Sequence, residues 1–261
     1  MSSYRRLPLN GLSNARELGG FPIRGGGITR YGRFVRSELP ERLDRSDMEF
    51  LEAYGIKLTI DFRSSRELKT TPSALYTESW LRYAHNPMIS LEASHFAEAD
   101  PELAAKLKNR DESSRRLGGI DWSHVYSVMA QDNKDWVKRG FDLIEAEPGC
   151  VHYHCMTGKD RTGVFTALLL GLAGVDDYDI IADYCVSQVY LRPFYLTPRD
   201  NDAAFTGDPD LSLSFYRTEP ESMETFLAML NDVYGSIRNY LTACEISDQS
   251  LDAVKASLVE Y

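Results

Sequence analysis

The stretch RTGVFTALLLGLAG, residues 161–174, is apolar on almost every face of the helix it would form. A helix without a polar stripe has no side to show to water, so other elements must sheathe it all round. The overlapping run VFTALLLGLAGV (164–175) is too short to span a bilayer and carries two glycines, which makes it a core helix. Directly before it stands CVHYH (150–154), a short β-like run, with the turn CMTGKD between the two.

The same alternation recurs upstream. RFVRS (33–37) and KLTIDFR (57–63) read as strands. Between them SDMEFLEAYG (46–55) reads as a helix, capped by Ser46 or Asp44, striped by Phe50, Leu51 and Tyr54, and ended by Gly55. DNKDWVKRGFDLIEAEPG (132–149) is a further helix, with Trp136, Val137, Phe141 and Ile144 at helical spacing. Beyond Asp176 the chain reads as helical: 176–191 capped by Asp176, 220–235 from Pro220 to Gly235, and 247–261 from Ser247. Strands alternating with helices predict an α/β fold, a central sheet flanked by helices, with a helical C-terminal portion. The length of 261 residues fits a single domain over 1–261. Two polar stretches interrupt the pattern: about 94–121, which includes Arg115 and Arg116 and is a candidate lid, and about 193–219, a loop. RGGGITRYG (24–32) reads as a hairpin turn and not as a nucleotide loop.

A net charge of −10 argues against nucleic acid or anionic lipid as a general partner, so any anion site is local. Cys150, Cys155, Cys185 and Cys244 match no zinc or disulfide spacing and read as reduced thiols. His85, His95, His124 and His152 lack partners at metal spacing and read as structural or surface; no metal or cofactor is expected. Tyr126 and Tyr178 read as core residues. The start, MSSYRRLPLNG, has no apolar signal region, which points to the cytoplasm by default and leaves export by another route open.

The turn after CVHYH carries the chemistry. A strand, a cysteine, a tight turn and a helix N-terminus converge unsatisfied N–H donors and the positive end of the helix dipole on one spot. Gly158 permits the curl; Met156, Thr157, Gly158, Lys159, Thr162 and Gly163 line the cradle; Arg161 adds a planar fork for a tetrahedral oxyanion. The same field favours a thiolate at Cys155. Thr162 can donate its hydroxyl to the sulfur, and His154 can order the loop backbone. The natural reading is attack by Cys155 on phosphorus, a thiophosphate intermediate and its hydrolysis, with charge on the equatorial oxygens held by Arg161. Asp160, inside the loop, is the first candidate for the general acid. Asp61 is the second, because it ends a strand at the expected ligand edge with Arg63 on the same strand face; the two can equally form a structural ion pair.

HCMTGKDRTG (154–163) resembles the H-C-x-x-x-x-x-R-[S/T]-G signature of cysteine-dependent phosphatases, and its Gly-Lys-Asp-Arg-Thr-Gly form resembles the bacterial "tyrosine phosphatase 3" family. The likeness extends to NARELGGFPIRGGGITRYGRFVRSELPERL (14–43), TIDFRSSRE (59–67), DDYDIIADYCVSQ (176–188) and VYGSIRNYL (233–241). The resemblance implies a three-layer phosphatase architecture and metal-independent hydrolysis of phosphate monoesters, with phosphotyrosine protein or phosphoinositide as substrate. It also supports Asp160 as the acid. A lysine at the place of Lys159 suggests a doubly phosphorylated head group. Two other classes compete: a rhodanese-like sulfurtransferase carrying sulfur on Cys155, and a phospho-binding module without turnover.

Overall fold

The computed structural model describes residues 5–88, 121–198 and 209–261. In chain order the elements are β1 (Arg16–Glu17), β2 (Ile28–Thr29), β3 (Phe34–Ser37), α1 (Arg45–Tyr54), β4 (Ile56–Asp61), α2 (Ser65–Thr70) and β5 (Arg82–His85). Then follow α3 (Trp122–Asp132), α4 (Lys134–Glu145), β6 (Cys150–His154), α5 (Asp160–Ala173), α6 (Asp177–Tyr190) and α7 (Arg192–Tyr195). The C-terminal part holds α8 (Pro220–Tyr234), α9 (Ile237–Ala243), α10 (Asp248–Leu258) and β7 (Val259–Glu260). Short 3₁₀ turns occupy Ala74–Thr77 and Ser214–Tyr216.

The central sheet has the order β1-β3-β6-β4-β5. β3, β6, β4 and β5 run parallel, and β1 pairs antiparallel on one edge. In register, Ser37 and Asp61 both lie beside His154, and Asp61 beside His85. The carboxyl ends of the four parallel strands therefore share one edge, where an open α/β sheet binds its ligand.

Alternation within the strands sends side chains to two faces. On one, Val35, Ile56 and Cys150 pack with Leu51 of α1. On the other, Phe34, Leu58, Ile60, Val151 and Tyr153 pack with α5. Helices α3, α6, α9 and α10 cover the remaining sides of α5, which is why its sequence has no polar stripe. Phe165 lies at the middle of this layer, 5.0 Å from Phe62, 5.3 Å from Tyr153 and 5.6 Å from both Trp136 and Phe141 by ring centroid.

The helix ends follow their capping chemistry. Asp44 forms a capping box with Asp47, and Gly55 closes α1 in the left-handed conformation. Asp176 and Ser247 cap α6 and α10, and Gly235 closes α8. Some expectations are corrected. The expected helix from 132 is preceded by α3, which breaks at Asn133, and α9 adds a short helix between α8 and α10. Tyr178 is 84% exposed, because the second residue after the Asp176 cap lies on the outer face of α6. The glycine-rich turn closes between Ile23 and Gly27, but its following strand β2 pairs with the C-terminal β7. The candidate lid with Arg115 and Arg116, His95, and residues 199–208 of the 193–219 stretch lie outside the described residues.

Candidate active site

β6 delivers Cys155 to the ligand edge of the sheet, and the next residues curl into the N-terminus of α5. Gly158 has φ +67, and a Cβ on it would stand 2.2 Å from the Ser37 carbonyl oxygen. Only glycine fits that close approach to the end of β3.

The outer side of the turn is held by its carbonyls. Asn14 Nδ2 donates to the carbonyls of Thr157 (3.2 Å) and Gly158 (3.4 Å). Arg36 Nη2 donates to Gly158 O at 2.5 Å, and Leu39 N to Met156 O at 2.9 Å. His154 Nδ1 lies 3.0 Å from the Cys155 carbonyl. In a trans peptide the N–H points opposite to the C=O, so carbonyls tied outward aim the amides inward. The first bond of α5 runs from Gly163 N to Lys159 O. The amides of Thr157, Gly158, Asp160, Arg161 and Thr162 thus keep no carbonyl partner among the described residues. They form a ring of donors at a helix N-terminus, a seat for a tetrahedral anion.

Cys155 immediately precedes this ring in the chain and is 1% exposed. The charges of Arg36, Lys159 and Arg161 all act on it. Thr162 Oγ1 is buried with no hydrogen-bond partner; the bond to sulfur expected from sequence is not formed. Gly163 is buried against Tyr184 and Arg36 and contributes close packing at the first turn.

Arg161 is oriented by a residue the sequence reading passed over. Glu67 accepts from Nη1 and Nη2, both at 2.8 Å, and Phe62 O accepts from Nη1 at 3.4 Å. Burial opposes the Arg161 charge, but the facing Glu67 carboxylate outweighs it and holds the guanidinium above its ordinary value. Burial likewise opposes the Glu67 carboxylate, yet Arg161 brings it down to about 2. Of the five N–H donors of arginine, Nε–H and the second Nη2–H keep no partner among the described residues. They point the same way, a side-on fork for two oxygens of one anion. Ser64-x-x-Glu67 was readable as a capping box, and Glu67 does act as one for α2. Its second role depends on a partner 94 positions away.

Asp61 and Arg63, expected at the ligand, are buried and paired with each other. Arg63 Nη2 donates to Asp61 Oδ2 at 2.7 Å and Nε to Oδ1 at 3.0 Å; Tyr83 donates to Oδ2 at 2.5 Å. Burial opposes the Asp61 charge, but His154 and Arg63 hold its carboxyl below the usual range. Arg63 Nη1 reaches Thr71 O at 2.6 Å. The pair therefore braces the segment that carries Glu67 and does not face the ring.

Lys159 is also turned away from a ligand. Its ammonium donates to the carbonyls of Phe215 (2.6 Å) and Arg217 (3.2 Å) and lies 4.4 Å from the Trp122 ring. Burial lowers its pKa, with Asp160 opposing. Asp160 stands at the ring's rim with a side chain 15% exposed. Its Oδ1 accepts from the Tyr126 hydroxyl at 2.6 Å and lies 3.5 Å from Lys159 Nζ.

Behind the loop is a buried charge cluster. Asp183 of α6 accepts from Arg16 Nε at 2.9 Å and from Arg36 Nη1 at 2.8 Å. Arg16 Nη1 donates to Asn14 Oδ1 at 2.6 Å. Glu38 accepts from the amides of Ser13 (2.5 Å) and Asn14 (2.9 Å), and burial pushes its carboxyl up to about 7. Among the described residues no group of His, Cys, Asp and Glu could hold a metal ion.

Known proteins resemble the chain along its length. A family model described as the tyrosine phosphatase family matches residues 7–260. A tyrosine-protein phosphatase of Nostoc commune is 29% identical over 234 residues, covering 86% of this chain and 74% of its own. A Cupriavidus necator protein, provisionally named a tyrosine-protein phosphatase, is 27% identical, covering 90% of this chain and 82% of its own. The triple specificity protein phosphatase PtpB of Mycobacterium tuberculosis is 24% identical, covering 88% of this chain and 92% of its own.

Proposed function

The chain belongs to the tyrosine phosphatase family, and from that membership we propose that it dephosphorylates phosphotyrosine in proteins through a cysteinyl-phosphate intermediate, without a metal. The observation that supports the mechanism is the turn of amides without carbonyl partners directly after Cys155, with Arg161 at its end held by Glu67.

The phosphate dianion seats in that ring with its equatorial oxygens on the amides and on Arg161 Nε and Nη2. Cys155 Sγ attacks phosphorus in line. The S–P bond forms as the P–O bond to the phenol breaks, and Asp160 gives its proton to the leaving oxygen. Water then attacks the thiophosphate and returns a proton to Asp160. The P–S bond breaks, and inorganic phosphate leaves with the thiolate restored. Asp61 is an unsuitable acid, being sequestered by Arg63 and Tyr83.

The name of the Mycobacterium relative speaks of three specificities. A phosphoinositide reading of this chain rests on the family resemblance and on Lys159, and the Lys159 ammonium here binds two backbone carbonyls. We therefore assign phosphotyrosine as the preferred substrate. Steady-state kinetics on phosphotyrosyl peptide, phosphoseryl peptide and phosphatidylinositol monophosphate vesicles test this. The phosphotyrosyl peptide is expected to have the highest kcat/KM, with Cys155→Ser lowering it by at least about 10⁴-fold. Stoichiometric peptide binding without phosphate release would favour a binding module, and faster lipid turnover would reverse the assignment.

A further inference from the structure

Asp160 Oδ1 and Oδ2 have different surroundings. Oδ1 receives the Tyr126 hydroxyl at 2.6 Å and faces Lys159 Nζ at 3.5 Å. Oδ2 has no hydrogen bond among the described residues. Tyr126 comes from α3 and is itself fixed from behind. Tyr184 of α6 lies 2.8 Å from it, oxygen to oxygen. The single Tyr126 proton is committed to Asp160, so Tyr184 is the donor to Tyr126. The Tyr126 ring is wedged edge-on against Tyr184 at 5.8 Å and Phe226 at 6.5 Å, with Trp122 at 5.9 Å. The other groups that act on Asp160 are Arg161 and Tyr195.

We infer that Tyr126, backed by Tyr184, is a positioning residue that occupies Asp160 Oδ1 throughout turnover, so that the proton for the leaving group is carried on Oδ2. The inference rests on Asp160 being the general acid. Both states of the acid suit the arrangement. With the proton on Oδ2, Oδ1 is a carbonyl-like acceptor; once the proton has left, it is a carboxylate oxygen. The Tyr126 hydroxyl donates to either, and more strongly to the anion, so it supports the charge that develops as the proton departs. Burial and the nearby Asp160 push the Tyr126 phenol well above its ordinary value, which keeps it a donor at every working pH. Without this bond the carboxyl can rotate, and the proton is shared between an oxygen facing the leaving group and one facing Tyr184.

The test is the dependence of kcat/KM on the leaving phenol across a series of aryl phosphates. Tyr126→Phe keeps the ring and removes the hydroxyl. It is expected to lower kcat/KM for phenyl phosphate by about tenfold and to affect the most acidic phenols least, so that the slope against phenol pKa steepens. Asp160→Asn is expected to steepen it further, losing about 10²-fold on phenyl phosphate. Tyr184→Phe, which weakens the support behind Tyr126, is expected to change the slope in the same direction by less. It carries the test if Tyr126→Phe does not fold by circular dichroism. A steeper slope in Asp160→Asn with an unchanged slope in both tyrosine variants overturns the inference and leaves Asp160 as the acid. Equal losses on every substrate in the tyrosine variants overturn it as well, since they report only a disturbed loop. An unchanged slope in Asp160→Asn removes both.

Discussion

Glu38 holds two amides, those of Ser13 and Asn14, from inside the protein. Asn14 then clasps the carbonyls of Thr157 and Gly158, so one carboxylate steadies the residue that shapes the anion ring. Burial lifts Glu38 from the ordinary 4.5 to about 7. A carboxyl whose folded pKa lies above its unfolded value binds more protons in the native state. Its contribution to stability therefore falls as pH rises from about 4.5 to about 7. Urea unfolding at pH 5 and pH 8 is expected to show the native protein losing up to about 3 kcal/mol more than Glu38→Gln over this interval. Equal pH dependence of the two would show that Glu38 is ionised at no cost.

Helix α2 is short and has no buried residue, yet it carries Glu67 to the Arg161 fork. The Ser64–Glu67 capping box sets the first turn, and the Asp61–Arg63 pair braces both ends of the segment through the Arg63 contacts to Asp61 and Thr71. Glu67→Gln keeps a capping side chain and removes the charge that orients the guanidinium. Loss of the opposing carboxylate favours an incoming anion, and loss of orientation disfavours it, so phosphate inhibition is expected to change little. The transition state needs the side-on fork in place, so kcat/KM on phosphotyrosyl peptide is expected to fall about 10–100-fold. An unchanged kcat/KM would mean that Arg161 orients itself. At this scale much was legible in advance. Alternating strands and helices, the Asp44, Asp176 and Ser247 caps, and the Gly55 and Gly235 stops are local patterns, and the elements follow them. The Cys155–Gly163 turn was legible because its residues are contiguous. The partners were not, because Glu67, Tyr126, Arg36 and Asp183 reach their contacts from 94, 34, 122 and 147 positions away and leave no periodicity to read. The contacts of Lys159 were hidden for the same reason: the carbonyls that hold it lie 56 and 58 positions on.

Across the molecule, the buried Arg16–Asp183–Arg36 cluster ties α6, β1 and β3 to the back of the loop. The apolar sheath around α5 fixes the helix whose N-terminus closes the loop. Fold and site thus share one frame: the sheet edge supplies Cys155, the helix supplies amides without a carbonyl partner among the described residues, and Asn14, Arg36 and the Leu39 amide hold the loop carbonyls away. No helix among the described residues is long and apolar enough to cross a membrane. The proposed mechanism has this frame make a bond between sulfur and phosphorus. The most direct measurement is acid quench of the enzyme during turnover of a phosphotyrosyl peptide, followed by peptide mapping by mass spectrometry. Phosphate is expected on Cys155, formed at the rate of phenol release and formed more slowly when Asp160 is replaced by Asn. Full turnover with no label on Cys155 at any quench time, or undiminished turnover by Cys155→Ser, would contradict the account.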